Sequence, residues 1–161
     1  MKNLNPRIEE ISSKKMIGKK QIMSLANFQA GELWKNFIPK KKEILNPISK
    51  ELYSISIYPT NYFHDFQDEN EFEKWAAVEV ACFENIPSHL ETLVIQAGLY
   101  AVFEYKGMSS DPSIFHYIFW TWLPNSNWEL DQRPHFEILG DNYINNDPNS
   151  EEEIWIPIKQ M

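Results

Sequence analysis

The chain reads as an α+β fold in which a unit of strand, strand, helix, strand, strand is used twice, and three observations predict it. Two helical stretches end alike: "LWKNFIP" (33–39) overlies "IFWTWLP" (118–124), each closing on aromatic, aliphatic, proline. The segments that follow them also correspond, "SISIYPTNY" (54–62) lying over "FEILGDN" (136–142) with Tyr143 at its end, so that Asn61 falls on Asn142 and Tyr62 on Tyr143. Each half then passes through a loop rich in Asp and Asn into a closing strand, "WAAVEVACF" in the first and "EIWIPIK" in the second. A fixed spacing of this kind marks an internal repeat.

The elements follow in order. "RIEEIS" and "MIGKKQIMS" read as two strands, and "FQAGELWKNFI" as a helix with Phe28, Leu33, Trp34, Phe37 and Ile38 along one stripe. Pro39 is expected to bend or end that helix, and Lys35 with Lys40, Lys41 and Lys42 surrounds its carbonyl end, where cations are favoured. In the second half "HLETLVIQ" and "LYAVFEYKG" form two strands joined at Ala97 and Gly98, and "SDPSIFHYIFWTWLP" supplies a second helix, capped by Asp111 with Pro112 in the first turn. Apolar residues cover nearly the whole circumference of that helix, which predicts that other elements enclose it. The organisation expected is a tail over 1–5 and a single domain over 6–161, with repeats at about 6–85 and 88–160.

Composition excludes several function classes. With 161 residues, one core is expected. Fifteen basic against 23 acidic side chains give a net charge of −8, which argues against a phosphate-binding surface and so against direct nucleic-acid binding. Cys82 is the single cysteine, so no internal disulfide or CxxC pair exists, and its apolar surroundings predict a buried structural thiol. His64, His89, His116 and His135 lack a metal-ligand spacing, and five dispersed glycines form no phosphate loop, so neither metal nor cofactor is expected. No secretory signal and no long apolar span occur, which places the protein in the cytoplasm and off the membrane. Aromatics make up 14% of the chain, enough for a core and also for a pocket that takes a flat or cationic ligand.

One acid stands out. In "RPHFEIL" Glu137 lies between Phe136 and Ile138, and alternation puts His135, Glu137 and Leu139 on one strand face. In the repeat register Glu137 overlies Ser56, so the halves differ by a carboxylate at this position. Two readings stand side by side: a glutamate facing water beneath a buried Phe136 and Ile138, or one walled in by aromatics and therefore disposed to hold a cation. Glu79 shares a face with Trp75 and Ala77 and reads as a solvated or ion-paired glutamate, with a second pocket acid as the alternative.

Taken together, "RIEEISSKKMIG", "AGLYAVFEYKG", "WTWLPNSNWEL", "RPHFEIL" and "EEEIWIPIK", in this order and spacing, resemble the GyrI-like, or AraC-type, bacterial effector-binding domain found in Rob-like and BmrR-like multidrug regulators. The resemblance spans Pro6 to Lys159. It implies pseudo-two-fold symmetry, with an antiparallel curved sheet around two main helices and a cleft between the halves. It also implies a glutamate in an aromatic cleft that pairs with lipophilic, cationic small molecules; by motif this is Glu137, with Tyr117, Trp120 and Trp155 as candidate walls and Tyr58 and Trp75 as weaker ones. Stand-alone binding is the favoured function. The alternatives are a hydrolase of strained cyclopropyl electrophiles, with Glu137 as general base, and a partner for a protein such as DNA gyrase or a regulator. Whole regulators of this type carry a helix-turn-helix; none precedes Pro6, so DNA binding is not implied.

Overall fold

The computed structural model describes residues 4 to 161, so residues 1–3 of the expected tail lie outside the described residues. Leu4, also assigned to the tail, packs against the second helix's cluster. Nine strands and two helices follow: β1 Arg7–Ile11, β2 Lys14–Ser24, α1 Ala30–Lys41, β3 Leu52–Ile57, β4 Glu71–Val80, β5 Glu91–Ile95, β6 Gly98–Lys106, α2 Ser113–Tyr117, β7 Trp128–Leu130, β8 His135–Leu139 and β9 Glu151–Gln160. A π-helical segment, Ile118–Trp122, continues α2 without a break.

All pairings are antiparallel, and the strand order is β1-β6-β9-β8-β3-β4-β2-β5, with β7 added to β9. Exchanging the halves leaves this order unchanged, with the symmetry axis between β3 and β8. The α+β class and the curved antiparallel sheet thus stand as read from the sequence.

The pairing of the edge strands was not legible. Two residues separate β1 from β2 and two separate β5 from β6, spacings that suggest hairpins, yet β1 pairs with β6 (Arg7↔Val102) and β5 with β2 (Lys14↔Ile95). Each half is completed by an edge strand from the other. The step from Ile11 to Lys14 covers three peptide units, at most about 11 Å, yet β1 lies at one edge of the sheet and β2 next to the other. The sheet must therefore curl until its two margins nearly meet.

That curl explains a core without helices. Tyr53, Ile55, Trp75, Tyr100, Phe136 and Trp155 belong to a buried cluster with members from seven of the strands and none from α1 or α2, and Ile11 of β1 packs against it. It is the concave face, closed by the sheet itself. Two indoles mark the symmetry: Trp75 on β4 donates to Glu73 at 2.7 Å, and Trp155 on β9 donates to Glu153 at 3.1 Å. Lys20 and Arg7 lie over the respective rings at 5.8 and 5.9 Å.

The helices lie on the outer face. Leu33 and Phe37 of α1, one turn apart, are buried against Ile17, Ala76 and Val78. Pro39 does not end this helix, which runs on to Lys41; it falls in the last turn, where few amide–carbonyl bonds remain to be lost. Asp111 accepts the Ser113 N–H at 3.0 Å and so satisfies a free amide at the start of α2. The second helix is not enclosed. Ile114 and Ile118 are buried but Trp120 is 51% exposed, because only one side of the helix meets the sheet. Cys82 is half-buried and receives a hydrogen bond from Asn46, not the fully buried thiol expected.

Candidate functional site

Between the two helices, the outer face of the central strands carries polar side chains. β3 contributes Ser54 and Ser56, β8 His135 and Glu137, β4 Lys74 and β9 Glu152; Leu52, Ile17 and Val78 on one side, and Ile154, Ile156 and Ile158 on the other, make the flanking surface apolar. Register places these groups together. Lys74, Ser56 and His135 lie in one row across β4, β3 and β8, and Ser54, Glu137 and Ile154 in the next across β3, β8 and β9. Glu152, two residues before Ile154 on the same face, is a diagonal neighbour of Glu137, within reach of a long side chain.

Arg133 anchors the start of β8. Its guanidinium bonds Asp131 at 2.7 Å and the carbonyls of Leu99 and Ile158 at 2.7 and 3.1 Å, and lies 4.7 Å from the Tyr100 ring. Gly98, at φ 149°, leaves it room: a Cβ there would stand 2.6 Å from the guanidinium. His135 and Glu137 thus project from a strand tied to both β6 and β9.

The charges on this strip are constrained. Lys74, buried, donates from Nζ to Ser56 Oγ at 2.9 Å. Burial pushes the His135 imidazole down to about 3, and the charges of Lys74 and Arg133 add to this, so the ring is neutral. Its Nδ1 is buried with no hydrogen-bond partner among the described residues. The ring is also packed edge-on by Tyr58 at 4.8 Å. Burial drives the Glu152 carboxyl up to about 9, reinforced by the charge of Glu137 and a side-chain hydrogen bond with it and opposed by Lys74. Two carboxyl groups side by side cannot both ionise cheaply, so Glu152 keeps its proton and shares it with Glu137.

Over the strip lies an aromatic roof. Phe115 and Phe119, one turn apart on α2 and its π-helical extension, close a small cavity with Tyr58, His135 and Glu137. The loop after β3 meets α2 ring to ring: Phe63 stacks on Phe119 at 4.6 Å and Phe66 meets Trp120 at 5.4 Å. The enclosed space is about 10 Å³, about enough for a single water molecule. On the far side of Glu152 an open cleft of about 320 Å³ runs past Glu51, Asp141, Glu151 and Glu153.

Of the residues singled out from sequence, Glu137 and Tyr58 line the cavity. Trp155 borders it along β9, but its ring stacks on Phe136 at 5.2 Å in the concave cluster. Trp75 also belongs to that cluster, on the opposite face of the sheet. Tyr117, the last residue of α2, packs on the cluster beneath that helix and donates to the Leu4 carbonyl, and Trp120 is largely exposed. Glu79 accepts from Tyr53 at 3.1 Å and pairs with Lys14 at 3.4 Å, remote from the cavity. Sequence reasoning missed Phe115, Phe119, Lys74 and Glu152. The signal available was alternation: Lys74 shares a face with Ala76 and Val78, and Glu152 with Ile154 and Ile156, each a charge in an apolar row.

Fold and site define a small-molecule binding domain of the α+β type, a polar strip under an aromatic roof. The chain belongs to the GyrI-like family, whose GyrI-like small molecule binding domain matches residues 4–159. A curated relative, the transcriptional regulator BrlR of Pseudomonas aeruginosa, is 28% identical over 163 residues, taking in 98% of this chain and 57% of its own. The chain thus spans little more than half the length of that regulator. Among solved structures, the EcmrR C-terminal domain superposes with a TM-score of 0.74 at 14% identity, covering 98% of this chain and 99% of that one. SAV2435, solved bound to tetraphenylphosphonium, superposes with a TM-score of 0.68 at 16% identity, covering 97% and 94%. The domain is therefore related to the effector-binding domains of transcription regulators. No helix among the described residues is long and apolar enough to cross a membrane.

Proposed function

We propose that the domain binds a lipophilic organic cation, with the positive centre against Glu137 and the apolar body against Phe115, Phe119 and Tyr58. The observation that carries this reading is the placement of a half-buried carboxylate at the floor of a cavity whose roof is aromatic. Carboxylate and rings act together: the first supplies the charge, and each ring adds about 0.5–2 kcal/mol of cation–π attraction once water is excluded. The SAV2435 structure, with a bound phosphonium cation, supports the same ligand class.

A cavity of about 10 Å³ holds no molecule of that size, since ligand pockets occupy about 300–1,000 Å³. The roof must therefore move. Its α2 portion is the weaker wall: His116, Trp120 and Thr121 face solvent, and its second half is π-helical, a hydrogen-bond pattern much rarer than that of the α-helix. Binding displaces Phe115 and Phe119 and leaves the sheet in place.

Tryptophan fluorescence titrated with tetraphenylphosphonium tests the assignment. The Glu137→Gln protein should bind at least about tenfold more weakly, the loss expected when a charged partner in a desolvated site becomes neutral. Equal affinities would remove Glu137 from the site.

A further inference from the structure

We propose that the cavity takes up one monovalent organic cation in exchange for one proton held between Glu137 and Glu152, with Lys74 as the resident positive charge that fixes this ratio. The proposal rests on the cation-binding reading above and adds its charge accounting.

The groups facing the pair can be enumerated element by element. β4 brings Lys74, buried and bonded to Ser56. β8 brings His135 beside Glu137, and its neutral ring adds no charge. Tyr58 follows the last residue of β3, and burial holds its phenol in the neutral form. β6 brings Tyr105, and the loop after β8 brings Tyr143; burial also pushes both phenols up. α2 presents only the rings of Phe115 and Phe119. Lys106 and the acids of the outer cleft, Glu51, Glu104, Asp141, Glu151 and Glu153, are on the solvent side of Glu152.

Glu137 on the cavity floor, with Glu152 and Lys74 adjoining it along the strip, therefore makes a cluster of two carboxyl groups and one ammonium. If both acids were ionised, one negative charge would be left uncompensated in a desolvated strip, a costly state. Retaining one proton on the pair brings the sum to zero. A permanently charged cation seated at Glu137 supplies the second positive charge, and the proton becomes the excess. Glu152 offers its exit, for it faces the inner cavity through Glu137 and the outer cleft directly. The proton passes to bulk solvent, and the occupied site again sums to zero with Glu137, Glu152, Lys74 and the ligand all charged.

Tetraphenylphosphonium suits the test because it has no titratable proton, so any proton released comes from the protein. Calorimetric titration of the full chain at about pH 7 in two buffers of different ionisation enthalpy reads the number released. The expected result is about one proton per cation, with affinity rising up to roughly tenfold per pH unit across the neutral range. The Glu152→Gln protein should release almost none and lose the pH dependence. Should that variant not fold, a pH indicator in unbuffered solution reads the same stoichiometry for the unmodified chain. Binding that releases no proton, or an unchanged count in Glu152→Gln, overturns the exchange and leaves the cation-binding reading intact. Failure to bind this cation at all overturns both.

Discussion

The two halves use one frame for different purposes. Under α1 the outer face is a closed apolar core: Phe37 and Leu33 meet Ile17, Phe72, Ala76 and Val78, and the loop after β3 adds Tyr62 and Phe66. Under α2 the helix spans Ile154, Ile156 and Phe103 on one side, but where it reaches the symmetry axis its Phe115 and Phe119 close a cavity over Glu137, His135, Ser54 and Ser56. Apart from β7, which only the second half carries, the strand layout is the same on both sides of the axis; the side chains differ. The contrast is one of local departures from a symmetric scaffold: a glutamate stands at 137 where the register offers Ser56, and the proposed site lies on that half while the other keeps the sheet in shape.

Three tests, taken from the largest effect down, could break that contrast. Phe37→Ala should cost about 3–5 kcal/mol in urea unfolding, as for a large ring removed from a closed core, and leave cation affinity per folded molecule unchanged. Phe119→Ala, from the half-buried roof, should cost about half as much and alter affinity. Equal costs, or an affinity change in Phe37→Ala, would mean the halves are not divided in this way.

The second test uses pH. Glu152 is raised in the folded state, so the stability it contributes is present in acid and is lost as pH climbs from its ordinary 4.5 toward about 9. His135 has the opposite sign: its contribution is present above its ordinary 6.5 and is lost as pH falls toward about 3. Thermal melts of the ligand-free protein should therefore drop on the alkaline side by on the order of a few degrees, and Glu152→Gln should abolish that alkaline decline while keeping the acid one.

The smallest effect sharpens the symmetry itself. Glu73→Gln and Glu153→Gln each convert a charged acceptor of an indole N–H into a neutral one on matching strands, and each should cost about 0.5–1 kcal/mol. Unequal costs would show that the concave face does not treat its two tryptophans alike.

Most of the fold was legible because repetition doubles the signal. Two helical stretches, two aromatic–aliphatic–proline endings and two closing strands in register leave little freedom in element order. The exchange of β1 and β5 was hidden, since a two-residue link between strands has the same spelling whether the chain folds back beside itself or crosses to the opposite margin. Glu137 was legible as one charge within an apolar run. Lys74 and Glu152 were masked by their neighbours: "EFEK" and "NSEEEI" look like solvated surface until the pairing shows which alternate position turns inward. The roof was illegible for the opposite reason. Rings surround the second helix on nearly every side, so periodicity could not separate Phe115 and Phe119 from Tyr117 and Trp120.

The crossed margins also govern the mechanics of the domain. Since β1 is sewn to β6 and β5 to β2, prying the halves apart at the axis would tear two seams at once. For the cation binding proposed above, this means that a guest is not admitted by spreading the vessel: the wall stays rigid and the hatch above it is the part to yield.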